Sequence, residues 1–586
     1  MTTILGALTN NDSASRVTDA MLRDTYLQGI ARKYEPVPRL SFVTVDGNDR
    51  AILLQSESSI LALFGTLFLP SGKLLSNDQI FTDEFLPQFT SEPNLFLCEC
   101  TGAFVFAYAD TGRNTYYLAS DPFGNLPLFY AVTPEGLFFS TRQRPIASAI
   151  GAATDNASIL QYASIGLSLG NATYYYGIQR VPTASIIMYK DTAKVTQYFI
   201  PSYSRSNDRD IAGVLNDLKN ILLPSVQNEL DSAAHSCVAL TGGFDSRATL
   251  SLIYGSDRIK NQVFYTHGEG SSYDMSIAAR ITSSLGLKHQ PFVFDDDIFS
   301  SGTEYFDDII GRSEGTLGIE GVTTLAAWER QKDEFSTVFD SHGGQIYRRT
   351  ILKARENSIR KMNDITGGIA RYVTSTLMRS QWLLPDVKNE AQKITRKALS
   401  EYFSTLREDI DIADKIDRFF IDQLCNNKYS AAGDTQMSYI RFIHPLLNLK
   451  AAELLSRIPS RFRACNNVYD YLLRTLAPAL TQFPLENNGY RVPYHGYRWK
   501  RYIPQVFDEV CAKIGITTSL QRPITSIDMI MRYGRKKAES MLSENSELIK
   551  NYVDINVLNR RITTMPNPEL VALTNFALLM RYLSGK

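Results

Sequence analysis

Over the first 200 residues the apolar positions fall in short aromatic and β-branched runs at 103–108, 115–119 and 137–140, with Phe96-Leu97 as a further short run. Residues of this kind suit pleated strands, and the clusters Asp110-Thr111-Gly112-Arg113-Asn114 and Thr133-Pro134-Glu135-Gly136 supply turns between them. The pattern predicts packed antiparallel sheets. After the polar, turn-rich stretch Pro201-Ser202-Tyr203-Ser204-Arg205-Ser206-Asn207-Asp208 the period changes. Val214, Leu215, Leu218, Ile221 and Leu222 keep helical spacing. A strand at 237–240, a helix at 248–254, a strand at 263–266 and a helix at 274–285 follow. Strand–helix alternation predicts a parallel α/β sheet. From about Asn389 the periodicity is mainly helical, and the stripe Leu570, Leu573, Phe576 and Leu579 reads as core. The expected plan is one domain over 1–200, a linker over 201–212 and a second domain over 213–586.

A chain of 586 residues is too long for one core, which agrees with that division. Lys+Arg and Asp+Glu both number 61, so no global basic field recruits nucleic acid or an anionic membrane. Six cysteines, with only Cys98 and Cys100 close together, predict reduced thiols rather than a disulfide framework. The opening MTTILGALTN lacks the basic and apolar regions of a signal peptide. The longest apolar run, 60–69, is broken by Gly65 and Thr66 and is far short of the ~20 residues of a spanning helix. A cytoplasmic protein is expected.

The chemistry concentrates in Leu240-Thr241-Gly242-Gly243-Phe244-Asp245-Ser246-Arg247, where a buried strand ends in a hydroxyl residue, two glycines, an Asp and a Ser before a helix begins. Glycines let the backbone approach a ligand closely, and amides at a helix start donate to anions. Thr241 and Ser246 add hydroxyl donors, and Asp245 suits a Mg²⁺ that neutralises phosphates. No Gly-Lys-Ser/Thr follows, so this is not the P-loop of GTPases.

Thr241-Gly242-Gly243-Phe244-Asp245-Ser246 resembles the S-G-G-x-D-S pyrophosphate loop of ATP pyrophosphatases, with Thr for the first Ser. Ser272-Tyr273-Asp274, then Ala278-Ala279 and Leu285-Gly286-Leu287-Lys288-His289, resemble the next strand–helix unit of asparagine synthetase-like domains. Arg441-Phe442-Ile443-His444-Pro445-Leu446-Leu447-Asn448 is similar to their R-x-P-F-L-D segment, with insertions. Upstream, Gly102-Ala103-Phe104-Val105-Phe106-Ala107 resembles G-x-F-A-F. The stretch from Ala119 through Asp121-Pro122-Phe123-Gly124 to Tyr130 resembles R-D-P-x-G-x-x-P-L-Y-Y, and Ile178-Gln179-Arg180-Val181-Pro182 the G-I-x-x-L-P-P-G boundary. The chain is thus identified as a divergent member of the class B asparagine synthetase family. The resemblance implies an N-terminal nucleophile-hydrolase-like αββα sandwich followed by a PP-loop parallel α/β domain with a helical extension. It implies ATP and Mg²⁺ as cofactors, with Leu240, Thr241, Gly242, Gly243, Asp245, Ser246, Arg247 and Ser341 around the nucleotide and Asp245 on the metal. It implies attack of a small-molecule or peptide carboxylate on ATP, release of pyrophosphate and capture of the acyl-adenylate by an amine. Divergent relatives amidate sugars for surface polysaccharides or close lactam rings. A homodimer is compatible with this plan.

Several working parts depart from the family. Its nucleophilic Cys follows the initiator Met, where this chain has Thr2. A threonine can serve with its own amine as base. The N-G-E glutamine-binding motif has no counterpart nearer than Phe64-Gly65-Thr66-Leu67-Phe68, so glutamine hydrolysis is not expected. The S-G-x-G-A-D-E segment aligns with 338–346, placing Gln345 at the second metal-binding Asp and His342 at the Glu. A neutral amide is a poor ligand for Mg²⁺, so Asp340 or Asp274 is a candidate substitute, and His342 a candidate base or nucleotide contact. The family's catalytic Lys is missing from 485–493, leaving Arg491 or Lys500 as the candidate cation. An intramolecular ring closer and a nucleotide-binding pseudoenzyme remain the alternatives.

Overall fold

A computed structural model describes residues 2–585 except 12, 24–29, 47–49, 204–209, 349–358, 361–363, 465, 488–489 and 496–525. Residues 204–209, half of the expected linker, and Lys500 lie outside the described residues.

Among the described residues, twelve strands build the N-terminal part: β1 (Thr3–Thr9), β2 (Ile30–Val37), β3 (Leu40–Asp46), β4 (Ala51–Gln55), β5 (Ser59–Gly65), β6 (Phe104–Asp110), β7 (Thr115–Ser120), β8 (Phe129–Thr133), β9 (Gly136–Ser140), β10 (Gln179–Arg180), β11 (Ser185–Tyr189) and β12 (Ala193–Gln197). They form two six-stranded sheets, ordered β10-β8-β9-β1-β3-β2 and β12-β11-β7-β6-β5-β4, with antiparallel pairing throughout. The side-chain period of two assigns each face of β5. Ile60, Ala62 and Phe64 join the core shared with the first sheet, while Leu61 and Leu63 pack with Phe85, Phe89 and Phe96 from the helical segment outside. Helices Ala14–Met21 and Gln143–Ile150 lie against β1 and β9. The result is the expected αββα sandwich.

Phe96-Leu97 is a correction. Both lie in the helix Pro93–Glu99, not in a strand. Pro93 at its first position presets a helical φ, and Phe96 meets Phe85 edge-on at 5.3 Å, so aromatic packing overrides β-propensity.

The second sheet system is parallel. Strands β13 (Ser236–Ala239), β14 (Val263–Gly268), β15 (Lys288–Val293), β16 (Thr337–Phe339) and β17 (Arg441–Ile443) run in the order β15-β14-β13-β16-β17. Val238, Phe264, Phe339 and Ile443 pack into one core, and Cys237, Tyr265, Val338 and Phe442 into another. Burial on both faces explains why the central strands β13 and β16 read as apolar runs without alternation. The helices Phe244–Gly255 and Tyr273–Ser284 fall where the period-3.6 pattern put them. The mainly helical remainder is interrupted by β17 and by the hairpin β18 (Leu485–Asn487) and β19 (Tyr490–Val492). Cys98, Cys100, Cys237 and Cys425 are free thiols. Among the described residues no helix is long and apolar enough to cross a membrane.

Candidate nucleotide site

β13 is the first strand of the parallel sheet, yet it lies in the middle, with β14 on one side and β16 on the other. The chain therefore leaves its carboxyl end in one direction and returns later on the other side. Such a switch point opens a crevice beyond the strand ends, where α/β sheets hold ligands. The loop 240–247 leaves β13 at that crevice, and 340–344 leaves β16 beside it.

The loop is tightly organised. The Leu240 amide donates to Tyr265 O at 2.9 Å, and Leu240 O accepts from the Thr266 hydroxyl at 2.7 Å, so Leu240 anchors the loop from within the core. The Ser246 hydroxyl accepts from the Thr241 amide at 3.1 Å and lies 3.0 Å from Thr241 Oγ1, which accepts from the Gly243 amide at 3.1 Å. The Gly242 amide donates to Asp274 Oδ1 at 2.6 Å. Only glycine fits at 242, since a Cβ there would lie 2.8 Å from the Glu486 Cβ and 2.9 Å from the Ile277 side chain. Helix Phe244–Gly255 starts at Gly243 without a side-chain cap, so its dipole faces the crevice.

Arg247 has another job than the one expected of it. It is fully buried, and its guanidinium donates to Gly242 O at 3.1 Å, to Phe483 O at 3.1 Å and to Pro484 O. Burial pulls its pKa down to about 10. Arg247 clamps 480–484 onto the loop. From that clamped segment β18 continues, and the Glu486 amide donates to Gly242 O at 3.1 Å. Arg491 stands opposite Glu486 in the hairpin and is exposed.

Asp245 lies in the first turn of its helix. Its Oδ2 is paired with the Arg348 guanidinium, and its Oδ1 accepts from the Tyr469 hydroxyl at 2.8 Å. Burial raises the Asp245 pKa, with Arg348 and Tyr469 opposing. Gly344 makes this approach possible, because a Cβ there would lie 2.1 Å from Asp245 Oδ1 and 2.6 Å from the Tyr469 hydroxyl. Neither Arg348 nor Tyr469 carries a sequence signal, since they are 103 and 224 residues away.

Beyond β16, Asp340 accepts from the Ser341 amide at its own Oδ1, and Ser341 Oγ is buried without a partner. His342 sits 5.4 Å from His444 and 5.9 Å from Tyr429, ring to ring. Burial lowers the His342 pKa against the pull of Asp340 and Asp245, and takes His444 down to about 4 with help from His342. Both imidazoles are therefore neutral at pH 7. His267, at the end of β14, has a buried Nδ1 without a partner, as do Arg348 Nε and His444 Nδ1. Orphaned donors and acceptors gathered at one sheet edge suit a polar ligand.

The acids of the crevice already have partners. Asp245 is engaged by Arg348, Asp274 by the Gly242 amide, Asp340 by the Ser341 amide, and Gln345 is neutral. Among the described residues no three His, Cys, Asp or Glu side chains are arranged to hold a metal.

Thr2 directly precedes β1 and meets the segment that leads into β17. It is 3% exposed, and its amide donates to Ser438 Oγ at 3.2 Å, just past the helix Ser430–Met437. Nearby, the Arg142 guanidinium donates to Arg312 O at 2.9 Å and faces Asp434 at 3.8 Å, and the Glu314 carboxylate accepts from the Gln143 amide. The edge of the sandwich that carries Thr2 is thus packed against the second domain.

Comparison with known proteins finds likeness over part of the chain. A glutamine amidotransferase domain model matches residues 85–200. Proteins named "Putative asparagine synthetase [glutamine-hydrolyzing]" from Mycobacterium tuberculosis (strain ATCC 25618 / H37Rv) and Mycobacterium bovis are each 27% identical over 213 residues, 34% of this chain and 32% of theirs. Over that third the chain is similar to asparagine synthetase-like proteins. It matches about a third of the length of these curated relatives. The matched domain begins at residue 85, beyond Thr2 and beyond 64–68. A glutamine phosphoribosylpyrophosphate amidotransferase from B. subtilis covers 58% of this chain and 81% of its own at 10% identity, with a TM-score of 0.25, a likeness too slight to carry a conclusion.

Proposed function

We propose that the protein is an ATP-dependent amide-forming synthetase that activates a carboxylate as an acyl-adenylate and releases pyrophosphate. The observation that supports it is the loop 241–246, lying between the parallel strand β13 and an uncapped helix start at the switch point of the sheet. Backbone amides and two hydroxyls suit the phosphates of ATP, and the neutral His342, beside Asp340, suits a proton acceptor for the attacking amine. Arg491 offers a cation on a hairpin bonded to the loop. The substrate is a small-molecule or peptide carboxylate, in surface-polysaccharide or specialised-metabolite synthesis. The amine is ammonia or a tethered amine rather than one cut from glutamine, because Thr2 is buried and the glutamine motif is missing. A cytoplasmic setting fits this chemistry.

ATP–pyrophosphate exchange, screened across amino acids, sugar acids and peptides, tests the reading. Exchange that depends on one carboxylate class and disappears in Ser246→Ala supports it. Exchange absent throughout, with ATP still bound, favours the second reading of a nucleotide-binding pseudoenzyme, to which Gln345 and the Arg348–Asp245 pair point.

A further inference from the structure

The least expected feature of the crevice is Arg348. It ends the short helix Gly344–Arg348, which follows the turn after β16, and so returns across the switch point to the carboxylate of Asp245. The pair is only half-buried, with side chains 22% and 25% exposed, so a ligand can reach it. One guanidinium edge holds Asp245, while Nε is buried with no partner. An arginine here is permanently charged and presents five donors in a planar fork that matches phosphate oxygens. At the neighbouring position 345 a neutral amide stands where a metal carboxylate was expected. The remaining acids, Asp274 and Asp340, already accept backbone amides.

We propose that Arg348 supplies the positive charge that a divalent cation would otherwise bring to the phosphates of ATP, so that this site binds ATP without a metal ion. The inference rests on the nucleotide reading of the loop. Asp245 is then the resting partner of Arg348 and competes with phosphate for the guanidinium. Phosphate entry exchanges a carboxylate partner for a phosphate partner, and both are charge-assisted hydrogen bonds.

Calorimetric titration of ATP, and separately of inorganic pyrophosphate, into the full chain tests this in excess EDTA and in excess Mg²⁺. The expected affinities agree within roughly threefold between the two conditions, and Arg348→Met lowers the EDTA affinity by roughly tenfold or more, as loss of a bidentate phosphate contact should. Arg348→Lys restores part of it. Because Arg348→Met could disturb folding, its thermal melt is recorded alongside, and Asp245→Asn gives an independent reading. That substitution releases the guanidinium, so ATP binding in EDTA is kept or tightened. Binding that requires Mg²⁺, or that Asp245→Asn abolishes, overturns the role of Arg348 and leaves the nucleotide reading standing. No binding of ATP or pyrophosphate under either condition overturns the nucleotide reading, and this inference with it.

Discussion

The Asp274 carboxylate accepts a 2.6 Å hydrogen bond from the Gly242 amide, which puts an internal anion on one of the donors that the glycine loop offers. The loop is thereby held open in shape, but with a negative charge beside the place proposed for phosphate. Burial raises the Asp274 pKa, as expected of a carboxylate in a partly closed crevice.

Asp274→Asn keeps the acceptor oxygen and removes the charge. ATP should then bind more tightly, by roughly three- to tenfold, since a like charge within a few ångströms opposes the ligand. Calorimetry at fixed ionic strength measures it. A tenfold loss of affinity instead would show that Asp274 works for the ligand, as a metal carboxylate does.

Gly344→Ala should damage the site from the other side. Its Cβ would stand 2.1 Å from Asp245 Oδ1 and 2.6 Å from the Tyr469 hydroxyl, and a neighbouring Gly343 at φ +89° leaves the turn little freedom to adjust. A cost of about 1–3 kcal/mol in stability is expected from such overpacking. ATP binding should fall with it, because Arg348 and Asp245 are pushed apart. Wild-type stability and binding in this variant would mean that the turn relaxes freely.

Thr2 should give no glutaminase activity. It is 3% exposed and tied to Ser438, and the glutamine-recognition motif is missing. Glutamate release from glutamine is the assay, and Thr2→Cys should not restore it, because a nucleophile alone does not position substrate. Release that depends on Thr2, with Met1 shown to be removed, contradicts this.

Glu229 gives a pH prediction. It is 5% exposed in the helix Ile211–Asp231, its carboxylate accepts from the Ser225 hydroxyl at 3.2 Å, and burial pushes its pKa up from 4.5 to about 8. The unfolded chain ionises first, so this residue's contribution to stability is full below about pH 4.5 and is lost as pH rises toward 8. Glu229→Gln should remove that slope and raise stability at pH 8 by on the order of 2–3 kcal/mol. Thermal melts of both proteins between pH 5 and pH 8.5 decide it. Parallel curves would mean that the carboxylate is hydrated in solution.

The sequence alone determined what local periodicity and turn chemistry control. Aromatic and β-branched runs with turn clusters between them over 103–140 specified strands of the sandwich, and the strand, Gly242-Gly243 turn and helix order specified the loop and its parallel sheet. These are short-range patterns, set by backbone sterics and by which face is buried. Phe96-Leu97 escaped because β-propensity is overridden where aromatics pack a helix on a sheet. Tertiary structure alone decided the electrostatics of the site. Arg247 belongs to the loop in sequence, but its guanidinium is held by carbonyls more than 230 residues away. Arg348 reaches Asp245 across 103 residues, and Ser438 covers Thr2 across 436. Charge pairing and burial depend on distances in space, and a linear pattern does not record which distant side chain closes on a motif.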